Sequence, residues 1–320
     1  MSKKNIALIF PGQGAQYVGM GQDFHQAFSI YRECFEEAED SLKKNYSQLC
    51  LEGPQDLLTE TRNSQVSIFL MSMGIYRVLK EQFPKLDVQV SAGLSLGEYT
   101  AITAAGALSF QDGAKLVQLR GQAMHQACEE QKGFMSVVMG LSHEEVEALV
   151  QEVNLPADLW AANFNCPGQV VLSGTEKGIQ QGSLLAKEKG AKRVLPLTVH
   201  GAFHSGLMLS AEEQLAHALE SVHFKESAIA TLSNATGDFI HSTNDLKKAL
   251  LKQLTQPVRW ESNVRAMEGK GVDLYIEMGP GAVLKGLNKR IGTKAPTVNI
   301  ERVEDLETFA KSLETELASK

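Results

Sequence analysis

The chain has 320 residues, with 31 Lys and Arg against 38 Asp and Glu, a formal net charge of −7. That balance argues against a nucleic-acid-binding protein, and a 43% hydrophobic, 22% charged composition supplies the core of one large domain or two. Cys34, Cys50, Cys128 and Cys166 are widely spaced with no C-x-x-C pair; they read as reduced cytosolic thiols rather than a disulfide frame or zinc site. The N-terminal stretch, five mostly polar residues followed by five apolar ones and Pro11-Gly12, is too short for a signal peptide. No apolar run approaches the length of a membrane span.

Asn5 to Phe10 reads as a buried strand ending in the two-glycine loop Pro11-Gly12-Gln13-Gly14-Ala15-Gln16. Helices are expected over Phe24 to Tyr46 and Ser64 to Phe83. A strand over Asp87 to Ala92 then runs into Gly93-Leu94-Ser95-Leu96-Gly97, with a helix over Glu98 to Leu108. Strand, sharp Gly-x-Ser-x-Gly turn and helix form a nucleophile elbow, or an ordinary strand-to-helix turn. In the first case the turn lifts the Ser95 hydroxyl out of the sheet, and the Leu96 amide joins the unpaired N–H groups of a helix start. Ser109-Phe110-Gln111-Asp112 resembles a capping box for a helix to about Glu130.

The pattern changes near Gly133. Strand Phe134 to Met139, helix Ser142 to Val153, strands Leu159 to Asn163 and Gln169 to Ser173, helix Thr175 to Lys189 and strand Lys192 to Leu197 follow. That β-α-β-β-α-β order over about 65 residues is a ferredoxin-like unit. The expected division is residues 1–130 and 199–320 as a discontinuous large α/β domain and 131–198 as a small inserted one. Beyond it come a loop with His200 and His204, a helix from Ser210 to Leu219 and a strand near Ile229 to Ser233. Helices over Asp245 to Leu254 and Val258 to Lys270, strand Asp273 to Glu277, the turn Gly279-Pro280-Gly281 and a last short helix complete the order.

A serine hydroxyl is a poor nucleophile without a base, and histidine is the usual one. Of eight histidines, His200 and His204 share an apolar loop after a strand, and spacing alone does not choose between them or exclude a structural role. Arg120 falls on the apolar face of its helix with Leu116, Val117, Ala123, Met124 and Ala127. A buried guanidinium needs an anion: a distant Asp or Glu, or a substrate carboxylate gripped bidentately. Gln13 sits between two glycines in a loop able to present N–H groups to an oxyanion; without a following Lys-Ser/Thr the loop is a poor phosphate cradle.

Together these segments resemble the malonyl-CoA–acyl carrier protein transacylases of fatty-acid synthesis, relatives of the acyltransferase domains of polyketide synthases. The matching segments are Ile9 to Gln16, Gly93 to Tyr99, Leu119 to Met124, Gly201 to Ser205, Gln253 to Trp260 and Glu277 to Gly281, in the family's order. The resemblance implies Ser95 as nucleophile, His204 as its base with His200 a bystander, and Gln253 as the residue whose main-chain carbonyl orients the histidine. It implies an oxyanion hole from the Gln13 and Leu96 amides and an Arg120 grip on the malonyl carboxylate. Ala202-Phe203-His204 resembles the malonyl-type signature, Phe203 crowding an α-substituent. Many members carry His where this chain has Leu94. The fold implied is a large α/β-hydrolase-like domain with a parallel sheet and nucleophile elbow, plus the ferredoxin-like insert. The partners implied are malonyl-CoA and acyl carrier protein, with coenzyme A thioester as substrate, no bound cofactor or metal, no nucleic acid and no membrane, in a cytoplasmic monomer. Carrier proteins of this kind are acidic, so the basic pairs Lys192-Arg193 and Lys289-Arg290 are docking candidates at the cleft mouth, or solvated surface. A polyketide extender acyltransferase and a serine thioesterase or esterase are the competing activities; hydrolases of that type need an Asp or Glu orienter.

Overall fold

The short apolar runs become strands. The computed structural model describes residues 4–199 and 201–318, without the side chains of 312–318. Among the described residues the strands are β1 (Ile6–Phe10), β2 (Val88–Gly93), β3 (Phe134–Met139), β4 (Leu159–Cys166), β5 (Gln169–Gly174), β6 (Arg193–Pro196), β7 (Ala230–Ser233), β8 (Asp238–Phe239), β9 (Leu274–Met278) and β10 (Thr297–Ile300). One sheet runs β10-β9-β1-β2-β7-β8, parallel except for β8 at its edge. The other runs β4-β5-β3-β6 and is antiparallel throughout. The chain is thus α/β, with a parallel sheet and a separate antiparallel one.

All five residues of β1 are buried, as expected of a central parallel strand covered on both faces. Leu8 and Phe10 face one apolar layer and Ala7 and Ile9 the other, the period-2 alternation of a strand. The first layer is built on helix Thr61–Gln82, which is buried around most of its circumference and packs against helix Phe110–Glu130. The antiparallel sheet has its own core of Val138, Val146, Leu149, Leu159, Val170 and Leu172 beneath helices His143–Val153 and Glu176–Glu188. Ser142 and Glu145 close a reciprocal capping box on the first of these helices. β4 is also tied to the segment that leads into helix Trp260–Gly269: the Phe164 N–H donates to the Val258 carbonyl and the Val258 N–H to the Ala162 carbonyl, both at 2.8 Å.

Several boundaries differ from expectation for local reasons. The helix expected over residues 24–46 is two, Gln22–Ala27 and Ser29–Leu42, because Phe28 is extended (φ −126°, ψ 123°). Lys43, left-handed at φ 54°, ends the second, and Tyr46 opens a further helix, Tyr46–Glu52, capped by Asn45. A turn of helix at Gln55–Thr59 precedes Thr61–Gln82. At Ser109 the box is half-formed, since the Asp112 carboxylate meets the Ser109 hydroxyl rather than its amide. Helix Trp260–Gly269 starts two residues late because Val258 is paired to β4. The helix after Gly281, Val283–Ile291, is not the last: β10 adds to β9, and helix Val303–Ala318 follows, seating Leu306 and Phe309 in the core. No helix among the described residues is long and apolar enough to cross a membrane.

Candidate active site

β2 ends at Gly93 and helix Leu96–Ala104 starts two residues later. So abrupt a turn leaves no room for side chains at its glycines. A Cβ on Gly93 would lie 2.0 Å from the Gly97 carbonyl, and one on Gly97 2.1 Å from the Phe10 oxygen. Between them Ser95 adopts φ 54°, ψ −107°, a conformation that costs an L-residue on the order of 1–3 kcal/mol and persists only when its surroundings enforce it. Asn234 does so: its Oδ1 accepts from the Ser95 N–H at 2.5 Å while its Nδ2 donates to the Gly93 carbonyl at 2.7 Å.

His204 is the second residue held this way, at φ 56°. The other described non-glycine residues with positive φ, Lys43 and Asn154, merely end helices. His204 is buried, its Nε2 2.8 Å from Ser95 Oγ and its Nδ1 2.7 Å from the main-chain oxygen of Gln253. A carbonyl oxygen only accepts, so Nδ1 carries the proton and Nε2 presents its lone pair to the Ser95 hydroxyl. Burial, reinforced by the charge of Arg120, lowers the imidazole pKa to about 4, against the opposing bond to Gln253. The site therefore holds a neutral histidine aimed at a serine, and among the described residues no carboxylate touches the ring.

Arg120 is 1% exposed. Its Nη1 donates to Gln65 Oε1 at 2.6 Å, and its Nη2 to Gln253 Oε1 at 2.8 Å and Ser95 Oγ at 3.1 Å. The guanidinium lies 5.3 Å from the centre of the Tyr99 ring, and its Nε–H has no partner. Burial lowers its pKa, opposed by Tyr99 and Glu98. Among the described residues no carboxylate comes within ion-pair distance, so the direct Asp or Glu partner that the sequence left open is absent. Glu98 reaches it only through the Gln253 side chain, whose Nε2 donates to Glu98 Oε2 at 2.7 Å.

A cavity of about 190 Å³ opens onto Ser95 and His204, walled by Gln13, Leu94, Met124 and Phe203. Asn163 and Gln169 close it from the antiparallel sheet, so it lies between the two sheets. Arg120, buried, meets the cavity through its bond to Ser95 Oγ. Leu96 is the first residue of its helix, and its amide has no intrahelical acceptor. Gln13 is steadied by its side-chain bond to Thr61 Oγ1 at 3.2 Å. Lys192, Arg193, Lys289 and Arg290 are exposed, and Arg290 Nη1 donates to Gln169 Oε1 at the cavity wall. His200 lies outside the described residues. No cluster of metal-ligating side chains occurs among the described residues, and all four cysteines are free, with burial pushing Cys34, Cys50 and Cys128 up to about 12.

Neither Asn234 nor Gln65 stood out in the sequence, and Glu98 entered only as the start of an expected helix. Asn234 and Gln65 carry no local pattern. Glu98 does carry one, a carboxylate in the otherwise apolar or neutral helix Leu-Gly-Glu-Tyr-Thr-Ala-Ile-Thr-Ala.

Residues 7–308 match the acyl transferase domain family. The malonyl CoA-acyl carrier protein transacylase of Bacillus subtilis is 38% identical over 317 residues, covering 99% of each chain. That of Haemophilus influenzae is 41% identical over 300 residues, covering 94% of this chain and 96% of its own. Among solved structures, the malonyl CoA-acyl carrier protein transacylase of Clostridium perfringens superposes with a TM-score of 0.93 at 32% identity, covering 98% of this chain and 99% of the other. A malonyl-transacylase in complex with its type II PKS acyl-carrier protein superposes at 0.91 and 36% identity, covering 95% and 98%. The chain belongs to the acyl transferase domain family, among the malonyl CoA-acyl carrier protein transacylases.

Proposed function

We propose that this protein transfers the malonyl group of malonyl-CoA to the phosphopantetheine thiol of acyl carrier protein through a malonyl ester on Ser95. The observation that carries the reading is the buried guanidinium of Arg120, 3.1 Å from Ser95 Oγ and without an ionised partner in contact among the described residues. A carboxylated acyl group supplies that partner, exchanging neutral acceptors for a stronger charge-assisted pair. His204 Nε2 takes the Ser95 proton as Oγ attacks the thioester carbon. The amides of Gln13 and Leu96 receive the oxyanion, each such donor being worth about 3–4 kcal/mol in the transition state. The tetrahedral intermediate collapses, the C–S bond breaks, and the imidazolium returns its proton to the departing thiolate. The carrier thiol, deprotonated by His204, then attacks the ester and releases Ser95, a ping-pong sequence. Phe203 narrows the acyl site against α-branched groups. Lys192, Arg193, Lys289 and Arg290 receive the acidic carrier protein.

The finer architecture belongs to the same reading. The order β4-β5-β3-β6 with two helices on one face supports a ferredoxin-like insert at 131–198, and a parallel sheet carrying a nucleophile elbow supports an α/β-hydrolase-like domain from 1–130 and 199–320. The protein acts as a cytoplasmic monomer without bound cofactor, on neither nucleic acid nor membrane. Main-chain orientation of His204 speaks against a serine esterase or thioesterase. Polyketide extension is the second reading, favoured by the likeness to a transacylase in complex with a type II PKS carrier; it shares the malonyl half-reaction and differs in the acceptor.

Arg120→Ala tests the reading. Malonylation of Ser95 is expected to fall by about 100-fold or more, the cost of about 3 kcal/mol for removing one partner of a buried charged pair, with acetylation little changed. A preference for malonyl that survives the substitution contradicts it.

A further inference from the structure

Glu98 is fully buried three residues after Ser95, where a carboxyl group stays only if hydrogen-bonded or neutral. Its Oε2 accepts from the Asn234 N–H at 2.9 Å and from Gln253 Nε2 at 2.7 Å, and its Oε1 has no partner. Those two partners hold the reactive groups. The Gln253 main-chain oxygen aims His204, its Oε1 holds Arg120, and its Nε2 also donates to the Ser95 carbonyl at 2.9 Å. Asn234 fixes the strained Ser95 amide. Asn234 and Gln253 come from chain segments 136 and 155 residues beyond Glu98. Glu98 Oε2 ties the Asn234 main-chain N–H and the Gln253 side chain to one point, beside their own bonds to the Gly93 and Ser95 carbonyls.

We propose that Glu98 is a positioning residue, a single buried carboxyl group that fixes Asn234 and Gln253 and, through them, the nucleophile, its base and the guanidinium together. The acid that other serine enzymes place against the histidine is here one residue removed, beneath the side chain of the residue whose carbonyl orients it. Burial raises the Glu98 carboxyl to about 7, while the bonds from Gln253 and Asn234 and the charge of Arg120 favour its ionised form. In either form Oε2 remains an acceptor, so the geometry does not require the charge. The inference rests on the acyl-transfer reading above and adds a residue to it.

The test compares Glu98→Met, which keeps the length and removes the acceptor, with Glu98→Gln, which keeps an oxygen for both donors. Single-turnover acylation by malonyl-CoA and by acetyl-CoA is read by intact mass, beside a thermal melt. Glu98→Met is expected to lower malonylation by about 100-fold, the scale of a misplaced reacting group, and to reduce the malonyl-over-acetyl preference in the same variant, because His204 and Arg120 lose one common support. Glu98→Gln is expected to recover most of both. A merely structural role would lower the melting temperature and leave rate and preference per folded molecule at the wild-type values; that result overturns the proposal, as does a Glu98→Gln variant as impaired as Glu98→Met. Should Glu98→Met not fold, Glu98→Asp, too short to hold both partners, is expected to lose rate and preference together, and wild-type values for both overturn the proposal. Absence of a malonyl adduct in the wild type would instead overturn the functional reading itself.

Discussion

His204 is the residue whose environment makes the most specific kinetic statement. A carbonyl orienter supplies less negative potential than a carboxylate, and Arg120 disfavours a second positive charge, so burial prevails and the imidazole pKa falls to about 4. The neutral, proton-accepting form is then present at all pH values above that. The acid limb of kcat/KM for acylation, which reports the free enzyme, is expected to fall through about pH 4 rather than near the ordinary histidine value of about 6.5; a midpoint at or above the ordinary value contradicts the assignment. His204→Ala is expected to cost about 10²–10⁴-fold over the whole range. The sign for stability follows from the same shift. A folded pKa below the unfolded one means the contribution is complete above about 6.5 and is lost as pH falls toward 4. Glu98 has the opposite sign, its folded pKa of about 7 lying above the ordinary carboxylate value, so its contribution is lost as pH rises through about 7.

At the scale of elements, helix Val283–Ile291 joins the cleft to the surface. Glu277 at the end of β9 accepts from the Leu284 and Lys285 amides at 2.9 and 2.8 Å and fixes the helix start. Val283 and Leu287 then line the cavity, and Lys289 and Arg290 occupy the last turn. Basic residues there complement the helix dipole whatever else they do, so their presence alone does not argue for docking. Charge reversal of both to Glu separates the roles. The KM for the carrier protein is expected to rise by about 10-fold at low salt, with the effect shrinking as salt is added, while acylation by malonyl-CoA stays within about twofold of wild type. An unmoved KM returns the pair to helix stabilisation. Elements of this kind were legible where local pattern governs them: the apolar β1, the glycines flanking Ser95 and the helix beginning at Ser142. They were not legible where tertiary contact governs them. Phe28 breaks a helix that its sequence would continue, and β10 exists because β9 offers it an edge.

At the scale of the whole molecule, the site is an assembly across sequence distance. Ser95 and Arg120 lie within one stretch, but His204 follows the antiparallel sheet, and Asn234 and Gln253 come later still. Motif and resemblance brought out Ser95, Arg120, His204 and Gln253. Nothing in spacing pointed to Asn234 or Gln65, because a hydrogen-bond network between distant segments leaves no period in the sequence; Glu98 stood out only as the one carboxylate of an otherwise uncharged helix. The cavity between the two sheets brings Ser95 Oγ within reach of His204 Nε2, so the acyl donor and the acyl acceptor are expected to use that serine in turn. Intact-mass spectrometry through one turnover tests this most directly. On mixing with malonyl-CoA, wild-type protein is expected to gain a malonyl adduct that Ser95→Ala abolishes, and adding holo-acyl carrier protein is expected to move the malonyl group onto the carrier as the enzyme adduct disappears. An active wild-type enzyme that transfers malonyl to the carrier without passing through an adduct on Ser95 would contradict the account.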